Sequence, residues 1–395
     1  MNQDITTTAG ERVRRTRKLR GFSQKDLARH SRLSLRTVKS VEQDDGVHRQ
    51  ETFHKIATAL QVRTGDLVTP GRPEPQPVPG EPWEDVRDAL YRRTEVPEPE
   101  YPATPEGVLA SLAAMRPAWE SHRYSRARPL LPGLVRDAMS LDDDEDGRAA
   151  RSRALSMTAW LLNMTRQFDD AWTASRLALD AAPDLTDSMA AAIMMTWCLL
   201  RQGRSAEAGT LAVSWADRAE PRFSRAATVE LAAYGKMLLM AANAMVTDNQ
   251  PGGAADALSL ARAAAARIGR DVPFSGGSAS KFGPVTVQVI TAETAALSWQ
   301  PERALAIAER IRPGLATIEP AQQLRHRLDV ANAHAMRREW DDVVGVMEGL
   351  RREAPEWLAN QQYARDVLEA VLRRRRGPWP DDLRGLAEAV RLPPF

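Results

Sequence analysis

Apolar residues return every three or four positions along most of the chain, and no segment alternates apolar and polar residues over the length of a strand. This spacing is typical of amphipathic helices and predicts an all-α fold. Residues 1–69, called the head below, contain five short segments of this kind. They are residues 9–20, the two segments that follow Ser23 and Ser34, residues 50–60, and a last segment that begins near Thr64.

The second and third segments of the head have the spacing of a helix-turn-helix. Ser23 and Ser34 can each cap a helix by accepting a hydrogen bond from a free backbone N–H group. Leu27 on the first helix and Val38 and Val41 on the second give the two helices facing apolar sides. Such a pair can place its second helix in the major groove of DNA. The outward residues on that helix are Ser34, Arg36, Thr37, Lys39 and Ser40.

These residues resemble the phage-repressor-like helix-turn-helix family (Cro/C1, or XRE) over residues 9–68. The matching positions are Ser23-Gln24, Leu27-Ala28, Ser34, Thr37-Val38 and Val41-Glu42. The resemblance implies a five-helix DNA-binding bundle in which Gln24 anchors a phosphate while Arg36, Thr37 and Ser40 face the bases. The family usually has Gly in the turn, where the chain needs a positive φ. This chain has Ser31-Arg32 there, so one of these two residues must bear strain.

Other side chains of the head extend the predicted DNA contacts. Leu35 can touch a thymine methyl group, and Lys39 and Gln43 flank the base-contacting residues. Phosphate contacts, which position the protein without specifying sequence, are expected from Arg14, Arg15, Lys18, Gln24 and Arg49. The alternative is that all of these are the solvated faces of a small bundle.

The distribution of charge favours DNA over that alternative. The chain has a net charge of +2, but residues 1–69 contain 14 Lys and Arg against 8 Asp and Glu, a net charge of +6 that leaves −4 for the remainder. A basic domain attached to a mildly acidic one is typical of a nucleic-acid-binding module.

A proline-rich linker with one short helix is predicted for residues 70–105. Six of the 13 residues from 70 to 82 are proline, which favours a semi-rigid extended spacer over a packed element. A proline-rich ligand for aromatic grooves is the alternative. The short helix is expected at about residues 83–93.

Residues 106–395, called the body below, contain a degenerate repeat. A bulky or polar residue, two polar positions and a small residue open an apolar helix at intervals of 44, 37, 49, 47 and 39 residues. The openings are at Tyr124, Phe168, Ser205, Ala254, Pro301 and Trp340. This pattern resembles the second helix of tetratricopeptide (TPR) repeats. The resemblance implies a TPR-like α-solenoid whose inner wall comes mainly from the first helix of each pair. A helix from about 353 to 376 and another from 380 to 390 are expected to end the body.

The whole layout resembles an actinobacterial group of regulators with an XRE head and a TPR-like body. The segment Lys281-Phe-Gly-Pro284 before an apolar helix is a feature of that group, although Val285-Thr-Val287 replaces the Thr-Asn that often follows. TPR-containing peptide sensors hold peptide backbones with Asn side chains, which both donate and accept. Asn163, Asn243 and Asn332 are therefore candidates, or they simply end helices. Trp160 and Trp197 can line the same pocket, or belong to the core.

No catalytic motif is found. The sequence contains no phosphate loop, dinucleotide fingerprint or nucleophile elbow, and the single cysteine, Cys198, excludes a disulfide within the chain. No histidine pair has metal-ligand spacing with a carboxylate, and the run Asp142–Asp146 is expected to be a solvated connector. We therefore expect no cofactor, no metal and no enzymatic activity. The longest apolar stretch, residues 189–200, is too short for a bilayer, and no signal region is present, which predicts a cytoplasmic protein without membrane contact.

The sequence as a whole predicts a transcriptional regulator. Its partners are expected to be double-stranded DNA, a second copy of the chain, and a peptide or small-molecule effector bound by the body. The alternative is an adaptor protein. DNA binding would bring it to a genomic site, and its body would recruit a protein partner without a small ligand.

Overall fold

The computed structural model describes residues 8–20, 22–45, 48, 50–60, 62, 64, 67, 83–91, 102–274, 280–372 and 381–392. Contacts divide the chain into two compact units, residues 1–78 with 245–253, and residues 79–244 with 254–395. Over the described ranges the fold is all-α, apart from one antiparallel pair of two-residue strands.

The head contains four described helices, α1 (Ala9–Leu19), α2 (Gln24–Ser31), α3 (Leu35–Glu42) and α4 (Gln50–Leu60). Ser23 and Ser34 cap α2 and α3 as the sequence predicts, since each side chain accepts a hydrogen bond from the backbone three residues later. Of the fifth predicted helix, Thr64 and Leu67 are described and both are helical. The four helices close over a core that consists mainly of Val13, Leu27, Val38, Val41, Ile56 and Leu60.

Arg32 takes the strained position in the turn between α2 and α3. Its φ of 53° and ψ of 37° lie in the left-handed region, which confirms the prediction that Ser31 or Arg32 would replace the usual glycine. The buried Ser31 hydroxyl donates to the Leu27 carbonyl at 2.6 Å and so helps to end α2. The helix-turn-helix therefore forms without a glycine in its turn.

The body consists of helices that follow one another through short turns. They are α6 (Pro105–Glu120), α7 (Tyr124–Ala127), α8 (Leu131–Ser140), α9 (Glu145–Met164), α10 (Phe168–Ala181), α11 (Leu185–Arg201), α12 (Ser205–Arg218), α13 (Thr228–Thr247), α14 (Pro251–Ile268), α15 (Pro284–Leu297), α16 (Pro301–Ile311), α17 (Pro320–Arg337), α18 (Trp340–Glu353), α19 (Pro355–Ala359), α20 (Gln362–Leu372) and α21 (Asp381–Ala389). Two 3-10 turns cover Arg128–Leu130 and Arg312–Thr317, and β1 (Val272–Pro273) pairs with β2 (Lys281–Phe282). Gly276 and Gly277, which lie between the two strands in the sequence, are outside the described residues.

A short helix precedes the body, α5 (Glu84–Tyr91), and it differs from the predicted linker helix in being packed. Trp83 and Val86 are buried in the same apolar cluster as the first helices of the body. Arg87 Nε lies 3.0 Å from Asp170 Oδ2 on α10. Residues 83–91 therefore belong to the body's core and not to a free linker.

The repeat pattern predicted most of the second helices to the residue. The helices α10, α12, α16 and α18 begin at Phe168, Ser205, Pro301 and Trp340. The prediction was less accurate at Tyr124, which opens a helix of only four residues, and at Ala254, which lies one turn inside α14. Small residues after these openings, such as Ala171 and Ala208, are fully buried where neighbouring helices approach.

One prediction for a long segment needs correction. The single helix expected from about 353 to 376 is two helices, α19 and α20, separated at Asn360, whose side chain donates to the Glu356 carbonyl. The apolar stretch of residues 189–200 lies in α11, and α13 is the longer helix. By length and composition α13 is the one helix of the described chain that could cross a membrane, but 78% of its apolar window is buried inside the structure.

Candidate functional site

Three side chains of the recognition helix α3 and its C-terminus are available to a partner. Arg36, Lys39 and Gln43 are exposed and form no hydrogen bond or ion pair with any residue that the structure describes. Their spacing of three and four residues puts them on one face of the helix. All three can donate to base edges or phosphates. This face is the candidate interface with DNA.

The hydroxyl groups predicted to face the bases already have partners within the head. Ser34 Oγ accepts from the Thr37 backbone N–H at 3.0 Å and lies 2.8 Å from Thr37 Oγ1. Ser40 Oγ donates to the Asp45 carbonyl at 2.6 Å and thereby holds the chain that leaves α3. Leu35 is half-buried and packs against the head core. These four residues shape the ends of α3, so the proposed base contacts rest mainly on Arg36.

A buried network of polar side chains holds α1, α2 and α3 together. Arg17 Nε and Nη2 donate to the two carboxylate oxygens of Glu42 at 2.5 and 3.0 Å. Gln24 Nε2 donates to Glu42 at 2.8 Å, and Arg17 Nη1 donates to the Phe22 carbonyl at 2.7 Å. Gln24, predicted as a phosphate anchor, therefore uses one of its two amide N–H donors inside the head. Arg17 is only 8% exposed, unlike Arg14, Arg15 and Lys18 on the same helix.

The sequence contains a local signal for this network. Glu42 follows Val41 and comes four residues after Val38, so it points toward the apolar side of α3. A carboxylate on a buried face needs a cation with hydrogen-bond donors. Which of the many arginines on α1 supplies that cation is decided by tertiary packing.

The N-terminus of α1 is fixed to the end of α3. Asp44 Oδ1 accepts from the Gly10 backbone N–H at 2.9 Å, and Asp44 Oδ2 accepts from the Thr8 hydroxyl. A Cβ atom on Gly10 would lie 2.3 Å from the Val41 carbonyl oxygen, so only glycine allows this approach. The result is a fixed orientation of α1 relative to α3.

The predicted phosphate contacts on α1 are exposed. Arg14, Arg15 and Lys18 form no hydrogen bond or ion pair within the described part of the chain. Arg49, the remaining predicted phosphate contact, lies outside the described residues.

Inside the body, polar side chains from successive first helices meet in one cluster. Glu293 on α15 accepts from Arg325 Nη2 on α17 at 2.8 Å and from Asn243 Nδ2 on α13 at 3.1 Å. The Arg325 guanidinium lies over the Tyr363 ring at 4.2 Å. Asp329, one turn after Arg325, is 2% exposed, and its Oδ1 is 3.6 Å from Arg325 Nε. A charged cluster therefore joins α15 and α17, in which the side chains of Glu293 and Asp329 are buried and that of Arg325 is 32% exposed.

Burial shifts the protonation equilibria of this cluster. Burial raises the pKa of Asp329 well above its ordinary value, and the negative charge of Glu293 raises it further, which favours the neutral acid. Burial opposes the charge on Arg325, but the neighbouring Glu293 and Asp329 outweigh that effect and raise its pKa. Burial lowers the pKa of His326, on the same helix, to about 4 and keeps it neutral.

The body contains a second pair of buried charged residues. Lys236 on α13 and Glu319, the residue before α17, are 6% and 8% exposed. Burial lowers the pKa of Lys236 and raises that of Glu319, while each partially compensates the other. Trp160 on α9 donates its side-chain hydrogen bond to Glu319 and packs edge-on against the Tyr124 ring at 6.0 Å.

The residues predicted to contact a ligand differ in their burial and in their hydrogen-bond partners. Asn163 is completely buried, its amide donates to the Met194 carbonyl at 3.4 Å, and its Oδ1 has no hydrogen-bond partner among the described residues, so its role as a ligand contact stays a prediction. Asn243 belongs to the Glu293 cluster, and Asn332 is half-buried on α17. Trp160 and Trp197 are half-buried and pack against the core.

One group of potential metal ligands was not predicted. Ligand atoms of His334, Glu339 and Asp342 lie within 4.8 Å of one another. His334 Nδ1 is 2.7 Å from Glu339 Oε2, and Arg337 Nη2 is 2.7 Å from Glu339 Oε1. Arg337 already compensates the Glu339 charge, which weakens this group as a cation site.

The acidic run Asp142–Asp146 is a connector as expected, since Asp144 caps α9 by accepting from the Gly147 N–H.

Comparison with known proteins identifies the head. The helix-turn-helix family model matches residues 13–67, and the head is a helix-turn-helix domain. The sequence matches no curated protein. Among solved structures, ComR from S. thermophilus in complex with DNA and its signalling peptide ComS is 10% identical, with a TM-score of 0.23 over 88% of this chain and 99% of that chain. ComR from Streptococcus suis is 11% identical, with a TM-score of 0.25 over 89% and 97%.

Proposed function

We propose that the chain is a sequence-specific DNA-binding transcriptional regulator. The observation that carries the proposal is the exposed face of Arg36, Lys39 and Gln43 on the second helix of a helix-turn-helix. The positive charge of the head supports it, because neutralising phosphates supplies much of the affinity for DNA. A helix with this exposure fits the major groove, where base edges carry a unique pattern of donors and acceptors.

Arg36 is the residue to test for base recognition. Its guanidinium can donate two hydrogen bonds to the O6 and N7 atoms of a guanine. Once bound fragments have been selected from the source genome, Arg36→Ala is expected to weaken binding by about 1–3 kcal/mol and to relax the preference at one base pair. Fluorescence anisotropy with the selected site and its single-base variants measures both effects.

A matched control is Arg29→Ala. Arg29 is an exposed arginine of α2, and among the described residues it pairs with Asp26 alone, three residues earlier. It should leave the base preferences of the protein unchanged. If Arg36→Ala binds every site variant as the parent does, Arg36 has no role in base recognition. If the parent itself prefers no genomic fragment over random competitor DNA, the proposal that the chain is a sequence-specific regulator fails.

The body is proposed as a sensor and a dimerisation domain of a cytoplasmic regulator. Its support is the charged interior around Glu293 and Arg325, because buried polar groups of this kind fix the orientation of a ligand in a pocket. We propose that a peptide or small-molecule effector binds there, with Asn243, Asn332, Trp160 and Trp197 as candidate contacts. Effector binding would favour one conformation of the helical body and thereby set the spacing of two heads.

A further inference from the structure

The segment that leads into helix α8 carries a cluster of arginines. Residues 121–136 contain four arginines and no Asp or Glu, whereas the chain beyond residue 69 has a net charge of −4. Arg123 and Arg126 are exposed, and Arg128 is half-buried. The side chains of these three arginines form no hydrogen bond or ion pair with any residue that the structure describes. Their positive charges are therefore available to a partner.

The segment that follows α8 carries the opposite charge. The five residues of the run Asp142–Asp146 are all acidic and all exposed. Asp143 pairs with Arg151 at 3.0 Å and Asp144 caps α9, but the other three side chains of the run have no such partner in the described chain. Because α8 has ten residues and each adds about 1.5 Å, the helix separates the basic from the acidic segment by about 15 Å.

The outer side of α8 is open between these two charged segments. One side of the helix is buried in the core of the body. Leu130, directly before the helix, is 53% exposed, the largest exposed fraction of any large apolar side chain in the described chain. A Cβ atom at Gly133, one turn further along, would meet nothing within 4 Å. A glycine inside a helix is destabilising, but it allows another backbone to approach closely.

The pattern of charge along α8 is complementary to itself. When two copies lie antiparallel about a twofold axis near the middle of α8, the basic segment of each copy faces the acidic segment of the other. Both charged segments are then neutralised, and each Leu130 side chain is removed from water. A DNA duplex fits this surface less well, because its phosphates would be attracted at one end of α8 and repelled at the other.

We infer that this side of α8 is the contact surface between two copies of the chain. The α8 surface consists of Arg123, Arg126, Arg128, Leu130, Gly133 and the run Asp142–Asp146. The inference rests on the proposed dimerisation of the body and names the surface that forms the dimer. An exposed ion pair adds little affinity by itself, so the charges select the antiparallel orientation while the apolar and closely packed middle supplies the affinity.

The test measures dimerisation of the full-length chain by sedimentation equilibrium. The variant Arg123→Glu/Arg126→Glu/Arg128→Glu makes both ends of the α8 surface negative. The variant Asp142→Arg/Glu145→Arg/Asp146→Arg makes both ends positive. Each variant alone is expected to dimerise about tenfold or more weakly than the parent, because like charges then face each other. An equimolar mixture of the two variants is expected to form a heterodimer with an affinity close to that of the parent.

The matched control is Arg267→Glu/Arg270→Glu/Arg310→Glu. These three arginines are exposed elsewhere in the body, and their side chains form no hydrogen bond or ion pair among the described residues. The control changes the net charge by the same amount as the first variant and should leave the dimer unchanged. Sodium chloride should weaken the dimer of the parent, because exposed charges are screened.

Gly133→Gln tests the middle of the surface and serves where a charge variant unfolds. The free space at this position accepts the side chain without a clash within one copy. In the dimer the added side chain would hold the two helices apart, and the affinity is expected to fall by about tenfold.

The inference is overturned if the parent is monomeric at every concentration, or if the mixture of the two charge variants stays monomeric. A parent dimer that neither charge variant weakens contradicts the α8 surface and leaves the proposed dimerisation to another surface. DNA binding is measured on the same preparations by fluorescence anisotropy. Loss of DNA affinity with an unchanged dimer in the arginine variant would assign these arginines to DNA. A parent that dimerises through α8 but prefers no genomic fragment contradicts the proposed regulator and leaves the α8 surface in place.

Discussion

At the scale of single residues, Arg32 shows where the helix-turn-helix holds a strained backbone. A residue with a Cβ atom in the left-handed region is destabilised by about 1–3 kcal/mol relative to a relaxed conformation. Arg32 occupies this region at the apex of the turn and is exposed. Its side chain forms no hydrogen bond or ion pair with the rest of the described head that would compensate the strain.

Arg32→Gly is therefore expected to stabilise the head. Relief of the strain exceeds the entropy that glycine adds to the unfolded chain, and a net gain of about 1 kcal/mol is expected. Hydrogen exchange of the protected amides in α2 and α3 measures this gain within the full-length chain. Arg29→Gly, a change inside α2, should instead lower stability by about 1 kcal/mol. Equal protection in Arg32→Gly and the parent would show that the turn is not strained.

The same scale shows what the sequence can and cannot predict. The strained turn followed from the absence of glycine in a pattern that needs a positive φ, and the caps Ser23 and Ser34 followed from local spacing. The pairing of Arg17 with Glu42 did not follow, because 25 residues separate them and several arginines of α1 were equally available. The hydrogen bonds of Arg201 to Asn360 and Gln361 did not follow for the same reason, since these residues lie 159 and 160 positions away.

At the scale of secondary-structure elements, α13 meets the β1–β2 pair through a glycine. A Cβ atom at Gly235 would lie 2.0 Å from Cζ of Phe282, the fully buried residue of β2. Phe282 pairs with Val272 across the two strands, so the strand pair packs against α13 at this point. The motif Lys281-Phe-Gly-Pro284 therefore has a role in packing, because its Phe282 side chain lies against Gly235 of α13.

Gly235→Ala is expected to destabilise the body. The added methyl group has no space unless Phe282 moves, and overpacking of this kind typically lowers the free energy of unfolding by about 1–3 kcal/mol. Gly345→Ala is the control, because Gly345 lies inside α18 with nothing within 4 Å of a new Cβ atom. That change should stabilise by about 0.5–1 kcal/mol. Chemical denaturation of the two variants should shift in opposite directions, and a shift in the same direction would contradict the packing described here.

The helices themselves were more predictable than the way they end. Openings at Phe168, Ser205 and Trp340 were found because a bulky residue, two polar residues and a small one recur wherever a second helix begins. The division between α19 and α20 was missed because the Asn360 carbonyl accepts a long-range bond from Arg201, while the Asn360 side chain caps the preceding helix through the Glu356 carbonyl. The packing of α5 against the body was not predicted, because proline-rich segments on both sides of it are typical of a linker.

At the scale of the whole molecule, the number of heads bound to one DNA site determines how salt affects affinity. Each phosphate contact that a protein makes lowers the slope of log K against log salt by about 0.9. Arg14, Arg15 and Lys18 are exposed cations of α1, and a dimer would bring each of them to the DNA twice. One substitution in the chain then removes one contact from a monomer and two from a dimer.

Lys18→Gln is expected to change the salt slope by about 1.8 if two heads bind the selected site, and by about 0.9 if one head binds. The base preferences should stay the same, since phosphate contacts do not specify sequence. Lys55→Gln is the control, because Lys55 is already paired with Glu51 on α4 at 2.7 Å and should leave the slope unchanged. Anisotropy titrations at several salt concentrations give the slopes. A change near 0.9 would contradict the proposed dimer, and no change at all would remove Lys18 from the DNA interface.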